Sequence, residues 1–208
     1  MVGIGGGIGI ILLVTILCVC LIPKDLSSDA IFSRANNAVF RITVDYIDNS
    51  SKHGTGFFID NQGTAVISCS LIDGAVSGEI SIEDKVYSVE SVLGVDKDND
   101  IAIIKIDIPK SKSLKRADGS KIQLADKLYA AIVSSDGEIS VVETLVSKVN
   151  HDNSYGYIQL LTSLQSGTPI FNTNGRVVAV VTSAYSGDGN MATAIPLNVI
   201  DEIDDSHN

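Results

Sequence analysis

Residues 163–172 read SLQSGTPIFN, a turn of small polar residues around Ser166 that leads into a short apolar strand. Asn174 and Gly175 then predict a second turn, and the apolar run Val177–Val181 predicts a strand that returns along the first. A turn placed before such a strand pair presents the Ser166 hydroxyl at the edge of a β-structure. Ser166 is therefore a candidate nucleophile.

Short strand-like segments separated by turns continue on both sides of this unit. About ten segments rich in Val and Ile, with Gly, Asn, Asp and Ser between them, predict an all-β barrel or sandwich. Hydrophobic residues make up 45% of the chain and aromatic residues only 5%, a composition that suits buried strands. The 208 residues are enough for one substantial domain and too few for two large ones.

The charge and the cysteines exclude several classes of function. With 15 Lys and Arg against 25 Asp and Glu, the formal net charge is −10, so the chain repels phosphate backbones and no nucleic-acid partner is predicted. Cys18, Cys20 and Cys69 form no CxxC motif and no Cys/His cluster with metal spacing. We therefore predict no metal, no cofactor and no disulfide scaffold.

The N-terminal segment Val2 to Ile22 carries no charge and is followed by Pro23-Lys24-Asp25. Its length suffices to cross a hydrocarbon core of about 30 Å, so residues 1–23 are predicted to be a retained single-pass transmembrane anchor. A cleaved signal peptide is the competing interpretation. Against it, no Lys or Arg precedes the apolar run and no Ala-x-Ala-like site follows it.

The glycines of this segment leave its assembly open. The Gly3/Gly7 and Gly5/Gly9 spacings suit close helix packing, and so a helix-mediated homo-oligomer or a larger membrane complex. A glycine-rich, frayed helix start explains the same residues. The flanking charges do not fix the orientation, and we expect the soluble domain to be extracytoplasmic. Residues 24–38 are predicted to be a linker and lead-in helix.

Six motifs in order give the chain a resemblance to a known family. The chain resembles trypsin-like serine peptidases of the HtrA (Deg) type, of chymotrypsin fold, from about Val39 to Ile200. The motifs are Gly54-Thr55-Gly56-Phe57, the segment from Gly63 to Asp73-Gly74-Ala75, Asp100-Ile101-Ala102-Ile103-Ile104-Lys105, Tyr157-Ile158-Gln159, the Ser166 loop and Asn190-Met191-Ala192-Thr193-Ala194-Ile195-Pro196.

The resemblance implies a trypsin-like domain over residues 39–204, made of two six-stranded β-barrels with a cleft between them. The first barrel is expected at about 39–108 and the second at about 121–196. Between them, the polar stretch Pro109–Ser120 is the expected connection, and residues 205–208 form a tail. No PDZ domain is expected, since the sequence given ends at Asn208.

The family's catalytic triad maps onto three positions of this chain. Asp100 matches the aspartate and Ser166 the nucleophile, but Ser70 stands where the family has histidine. A serine hydroxyl cannot serve as a general base near neutral pH. His53, His151 and His207 are outside these motifs, and each is interpreted as a solvated loop residue.

The oxyanion loop also departs from the family pattern. Leu164 replaces the glycine that helps to form the oxyanion hole, Gln165 follows it, and Thr168 replaces the second glycine after the serine. Leucine pays a steric penalty at positive φ, so it cannot copy the glycine freely. Cys69 lacks a histidine to activate it and is interpreted as a buried small residue.

The sequence therefore predicts a membrane-anchored, inactive pseudoprotease of this degenerate type. It would act as a subunit that binds protein or extended peptide, or as a structural subunit. A peptide is expected to add to the edge formed by Val181, Thr182, Ser183 and Ala184. The alternative is an active serine endopeptidase with Ser166 as nucleophile and an unorthodox base.

Overall fold

The computed structural model describes residues 25–83, 85–151, 155–185, 187 and 189–205. The predicted anchor, residues 1–23, and His207 lie outside the described residues. Among the helices that are described, none is both long enough and apolar enough to cross a membrane.

Twelve strands carry the architecture, as the alternating and apolar segments of the sequence predict. In the first half they are β1 (Val39–Tyr46), β2 (Ser51–Phe58), β3 (Thr64–Ser68), β4 (Ala75–Ile82), β5 (Lys85–Asp96) and β6 (Ile101–Ile106). In the second half they are β7 (Lys127–Val133), β8 (Ile139–Asn150), β9 (Tyr157–Leu160), β10 (Pro169–Phe171), β11 (Val177–Thr182) and β12 (Ala192–Pro196).

The strands close into two six-stranded antiparallel barrels. The first has the order β1-β2-β3-β6-β5-β4 and the second the order β10-β11-β12-β9-β8-β7. Because the barrels are closed, every strand pairs with a neighbour on both sides over at least part of its length. The double barrel expected from the family resemblance is thus confirmed.

Buried apolar side chains form three clusters. Two of them fill the barrel interiors, around Phe58 and Ile104 in the first barrel and around Ile158 and Leu160 in the second. The third joins both barrels to the helices, through residues such as Phe57 and Phe171. Burial of this kind stabilises by about 25 cal/mol per Å² of apolar surface, so the contact between the barrels is itself a hydrophobic core.

In the described part of the chain, three short α-helices accompany the strands, α1 (Ser28–Ala35), α2 (Cys69–Ile72) and α3 (Val199–Asp205), together with one 3₁₀ turn at Gly119–Lys121. The side chain of Ser27 caps α1 by accepting from the Ala30 amide. Helix α1 buries Ile31 and Ala35 in the cluster that joins the barrels. Asp205, which the sequence analysis assigned to the tail, is the last residue of α3.

Candidate active site

Strand pairing explains how Asp100 meets the Ser70 position. The β3–β6 ladder ends at the pair Ser68↔Ile101, so the residue before Ile101 lies beside the residues that follow Ser68. The Cys69 amide donates to the Asp100 carbonyl at 3.2 Å, which closes the ladder. Asp100 has a φ of 56°, in the left-handed region that Asp tolerates better than most residues.

The Asp100 carboxylate accepts hydrogen bonds from three serines. The Ser68 hydroxyl lies 2.9 and 2.8 Å from its two oxygens, and the Ser70 amide donates to Oδ1 at 2.7 Å. Both the hydroxyl and the amide of Ser183 donate to Oδ2, the amide at 3.3 Å. Asp100 is only 5% exposed, so these donors replace water around its charge. Serines thus surround the carboxylate that would orient a histidine in a working triad.

Two opposing effects set the pKa of Asp100. Burial raises it, but the hydrogen bonds from Ser183, Ser70 and Ser68 together outweigh burial, and the pKa is lowered. The group is therefore a carboxylate at neutral pH. The serine donors therefore stabilise the negative charge of the buried Asp100 carboxylate.

The same network ties the two barrels together. Ser183 directly follows β11 of the second barrel, and Thr182 donates its hydroxyl to the Asn99 carbonyl at 2.6 Å. The Tyr185 hydroxyl donates to Asn99 Oδ1 at 2.8 Å. The Asn99–Asp100 turn of the first barrel is thus held by four hydrogen bonds from Thr182, Ser183 and Tyr185 of the second. Its hydrogen bonds contribute to the contact between the barrels as well as to the site.

The Ser166 loop is held by backbone contacts. The Gly167 amide donates to the Val181 carbonyl at 2.8 Å, and the Thr168 amide to the Gln165 carbonyl at 3.2 Å. Gly167 has a φ of 86°, and a Cβ on it would lie 2.1 Å from the Thr55 carbonyl oxygen. Only glycine fits there, because the strand β2 of the first barrel passes directly against the loop.

Leu164 occupies the loop position where the family has the glycine of the oxyanion hole. Leu164 is not among the described non-glycine residues with positive φ, and its half-buried side chain packs against the core of the second barrel. The Gln165 side chain reaches the first barrel instead, donating to the His53 carbonyl at 3.2 Å. Leu164 therefore avoids the left-handed region and packs its side chain on the second barrel.

Ser70 and Ser166 share one open cavity of about 550 Å³ between the barrels. No described hydrogen bond engages the Ser166 hydroxyl. Most residues that line the cavity have polar side chains; the lining comprises Ser51, Lys52, His53, Gly54, Ser68, Ser70, Leu71, Gln165 and Ser166. The structure thus brings the three triad positions to one place, with Asp100 behind Ser68 and Ser70.

The described histidines have different surroundings. His53 lines the cavity, and its Nδ1 lies 3.0 Å from the Thr43 hydroxyl, its cross-strand neighbour in the β1–β2 ladder. His151 lies beside Tyr155 and Tyr157 in a separate cavity on the second barrel. A general base must come within hydrogen-bonding reach of the nucleophile, so only His53 shares the right compartment.

Cys69 is unsuited to nucleophilic chemistry in this environment. It is buried, with 6% exposure. Burial raises the pKa of the Cys69 thiol, and the nearby Asp100 carboxylate raises it further. The thiol stays protonated near neutral pH, in agreement with the interpretation of Cys69 as a small apolar residue.

The segment proposed to bind peptide is partly occupied. Val181 donates to the Thr168 carbonyl and accepts from Gly167, while β12 pairs with Val181 and Thr182 from the other side. Ser183 uses its amide on Asp100, and the Ala184 amide donates to the Thr182 hydroxyl at 3.0 Å. For strand addition, this segment therefore offers only the carbonyls of its last two residues.

A second strand edge borders the cavity. Strand β2 pairs with β1 from Ser51 to Phe57, but with β3 only at Phe57 and Phe58. The other edge of Ser51–Gly54 therefore has no strand partner where it lines the cavity, although the Gln165 side chain donates to its His53 carbonyl. No local sequence feature indicates this edge, because it results from β3 pairing with β2 only at Phe57 and Phe58.

Two members of the Asp100 network were missed from the sequence. Ser68 was not singled out, although a hydroxyl two residues before Ser70 at a strand end could have suggested it. Ser183 was expected only as a peptide-binding residue. It lies 83 residues from Asp100 along the chain, and no local signal links the two.

Comparison with known proteins gives the same fold. Residues 54–180 match the family described as "Trypsin-like peptidase domain". The chain is 26% identical over 167 residues to a "Probable periplasmic serine endoprotease DegP-like" of Marinomonas sp. (strain MWYL1), covering 74% of this chain and 36% of that protein. It is 25% identical over 179 residues to "Protease Do-like 1, chloroplastic" of Arabidopsis thaliana, covering 78% and 41%. The chain thus spans about 36% to 41% of these relatives' lengths.

Solved structures of HtrA-type proteases have the same fold. "HtrA-type protease AlgW with tripeptide" superposes with a TM-score of 0.73 at 20% identity, over 87% of this chain and 63% of that one. The same protease "with decapeptide" gives a TM-score of 0.71 at 18% identity, over 88% and 67%. At this identity the likeness concerns the fold alone.

Proposed function

Since the chain belongs to the trypsin-like peptidase domain family, matched over residues 54–180, we propose that it is an inactive HtrA-type member that binds protein or extended peptide in its cleft. The observation that carries this proposal is the hydrogen bonding of Asp100. Its carboxylate accepts from Ser68, Ser70 and Ser183, whereas in a working triad it would accept from a histidine. Loss of a triad member leaves only the residual catalysis that substrate binding and the oxyanion hole provide.

The unpaired edge of β2 supports peptide binding. Residues Ser51–Gly54 have no strand partner beside the cavity, and an extended segment can add to such an edge as a further strand if it displaces the Gln165 side chain from the His53 carbonyl. The carbonyls of Ser183 and Ala184 stand on the opposite barrel. A peptide lying between the two barrels would therefore meet main-chain groups from both sides.

The charge of the cavity favours one class of peptide. Lys52 is its only charged lining residue, and hydroxyl groups make up much of the rest. The Lys52 ammonium lies 4.7 Å from the Tyr46 ring centroid, which holds it at the cavity rim. We infer that the cleft prefers segments that carry an Asp or Glu side chain, which Lys52 would attract.

We also propose that the domain is tethered to a membrane through residues 2–22 and is extracytoplasmic. Two observations support this: the uncharged apolar run in the sequence, and the printed name "periplasmic" of DegP-like relatives. The tether would keep the cleft near other membrane proteins, as a subunit of a homo-oligomer or a larger membrane complex.

The test uses the full chain and a pair of fluorescent extended peptides that differ only by Asp against Asn. We expect the Asp peptide to bind more tightly and Lys52→Gln to remove most of the difference, a change of about threefold to tenfold. Lys148→Gln, the same charge change at an exposed position of the second barrel, is the matched control. Absence of binding by either peptide would contradict the proposal.

The presence of His53 in the same cavity as Ser166 favours one alternative, an endopeptidase with His53 as an unorthodox base. This alternative requires unfolded casein to be cut by the wild-type chain and left intact by both Ser166→Ala and His53→Ala. The proposed function requires no cutting by any of the three. Hydrogen bonding of Nδ1 to Thr43 leaves Nε2 as the only nitrogen for this role.

A further inference from the structure

The cations of this acidic chain are concentrated on the connection between the barrels. Residues 109–121 read PKSKSLKRADGSK, with five Lys or Arg residues and one Asp, whereas the whole chain has a formal net charge of −10. Lys110, Lys112, Lys115 and Arg116 are all exposed. An exposed positive segment in such an acidic chain is either solvated or bound to an anionic partner.

Arg34 and Arg176 join this segment in space, and the Arg176 guanidinium donates to the Arg116 carbonyl at 3.5 Å. Arg34 of α1 donates to the carbonyls of Asn174 at 2.7 Å and Gly175 at 2.9 Å. Lys112 donates to the carbonyls at the end of α1, at 2.6 and 2.8 Å. Helix α1, the connection and the turn after β10 therefore form one surface. We call it the basic face, and its members are Arg34, Lys110, Lys112, Lys115, Arg116 and Arg176.

Most of this positive charge is not neutralised. Arg116 pairs with Asp201 at 2.6 Å, the one ion pair that the described residues give to the basic face. Arg34 and Lys112 donate to neutral carbonyls, so their charges remain. The acidic residues that accompany α1 are Asp25 and Asp29. Asp118 of the connection pairs with Lys121 at 3.5 Å, so five unpaired cations against the carboxylates of Asp25 and Asp29 leave the face positive.

The chain enters the domain at this face. The Leu26 amide donates to the Thr173 carbonyl at 2.8 Å, which fixes the entry point against the turn. The uncharged run that ends at Ile22 is only four residues earlier in the sequence. Four residues span at most about 14 Å, so the basic face is the part of the domain closest to any bilayer that holds this run.

The cavity lies at the other end of the β10–β11 hairpin. Gly167 contacts Val181 at the cleft end of the hairpin, and the turn from Asn172 to Arg176 closes its far end. From Gly167 to Asn172 the chain advances five residues, about 17 Å in extended conformation. A surface bound at the turn would therefore leave the cavity facing away from it.

We propose that the basic face binds the anionic headgroups of the membrane to which the chain is tethered and holds the peptide-binding cavity facing the aqueous compartment. This inference rests on the proposed tether through residues 2–22. Each Lys or Arg near an anionic lipid surface strengthens binding by about fivefold. Lipid is the partner that the position of Leu26 favours, since a nucleic acid would be repelled by the rest of the chain.

The test exploits the absence of tryptophan from the sequence. Asn174→Trp places a single donor on the basic face, and Ser51→Trp places one at the cavity. Each full-length variant is reconstituted in vesicles with dansyl-labelled headgroups, made of phosphatidylcholine or of an equimolar mixture with phosphatidylglycerol. We expect strong energy transfer from Asn174→Trp in the anionic vesicles, and weak transfer from Ser51→Trp. High salt should reduce the first, because it screens the headgroup charge.

A matched pair of charge variants tests the residues. Lys110→Gln/Lys115→Gln/Arg176→Gln should lower the ratio of bound to free domain in anionic vesicles by about a hundredfold, whereas Lys85→Gln/Lys97→Gln/Lys148→Gln should leave it unchanged. Equal transfer from both tryptophans, or equal loss in both triple variants, would overturn the proposal. Failure of the tether is distinguishable: the wild-type chain would then not sediment with phosphatidylcholine vesicles, while binding to anionic vesicles would still depend on the basic face.

Discussion

The loops on the two sides of the cleft are held in place by different kinds of interaction. On the first-barrel side, Asp100 is buried and its carboxylate is filled by serine hydroxyls and amides. On the second-barrel side, the Ser166 loop is held by its backbone at Gly167, and no described hydrogen bond engages the Ser166 hydroxyl. One side depends on charge and hydrogen bonds and the other on steric fit. A protease fold can thus keep its cleft while the catalytic groups on its two sides serve different purposes.

The largest expected effect tests the steric side. Gly167→Ala should lower the free energy of unfolding by about 4 kcal/mol, since it adds left-handed strain and a contact of 2.1 Å with the Thr55 carbonyl. Gly137→Ala is the matched control, because φ is 85° there but nothing lies within 4 Å of the added Cβ. It should cost about 1 kcal/mol in urea unfolding. Equal losses would mean that β2 does not constrain the loop.

The next effect tests the electrostatic side. Asp100→Ala should cost about 3 kcal/mol, because it leaves the buried donors of Ser68, Ser70 and Ser183 without an acceptor. Asp100→Asn retains one acceptor oxygen and suits the φ of 56°, so it should cost less. Both are measured by urea unfolding with unchanged m-values. A loss below about 0.5 kcal/mol for Asp100→Ala would remove the structural role assigned to the carboxylate.

A pair of serine variants compares the two sides directly. Ser68→Ala removes a buried hydroxyl that binds both carboxylate oxygens and should cost about 1.5 kcal/mol. Ser166→Ala removes a half-buried hydroxyl without a described hydrogen bond and should change stability by less than about 0.5 kcal/mol. The comparison fails if the order is reversed in thermal and urea unfolding.

The smallest effect concerns pH, because burial and hydrogen bonding oppose each other at Asp100. The pKa of Asp100 is lowered in the folded state, so the group stabilises the fold above its unfolded pKa of about 3.8. That stability is lost as the pH falls through the lower folded value. The difference in unfolding free energy between wild type and Asp100→Asn should be constant above about pH 5 and shrink below about pH 3.8. A difference that grows on acidification would contradict the direction of the shift.

Much of the fold could be predicted from the sequence. Strands β1, β3 and β6 can be recognised from the sequence, because each alternates or is apolar between clear turn residues. The family resemblance predicted two six-stranded barrels, and the individual strand pairs such as β3 with β6 are known from the structure. The early end of the β2–β3 pairing was not predictable, since nothing local in Ser51–Gly54 marks an unpaired edge.

The site was predictable in position and less so in its contacts. Asp100, Ser70 and Ser166 were located by motif order, which fixes chain positions within a known fold. Ser183 could not be found in this way, because its bond to Asp100 joins the two barrels across 83 residues. Hydrogen bonds between distant segments depend on how the barrels pack. The local sequence around Asp100 or Ser183 does not predict that packing.

The central claim is that Ser166 is not an activated nucleophile. Labelling of the full chain by a fluorophosphonate probe tests it most directly, with Ser166→Ala as the control and the double variant Ser70→His/Leu164→Gly as the chain in which base and loop glycine are both present. We predict no labelling of the wild type above the Ser166→Ala background at pH 7 to 8, because serine donors saturate Asp100 and Ser70 stands at the position of the family's base. Rapid labelling of wild-type Ser166 that Ser166→Ala abolishes would contradict the account.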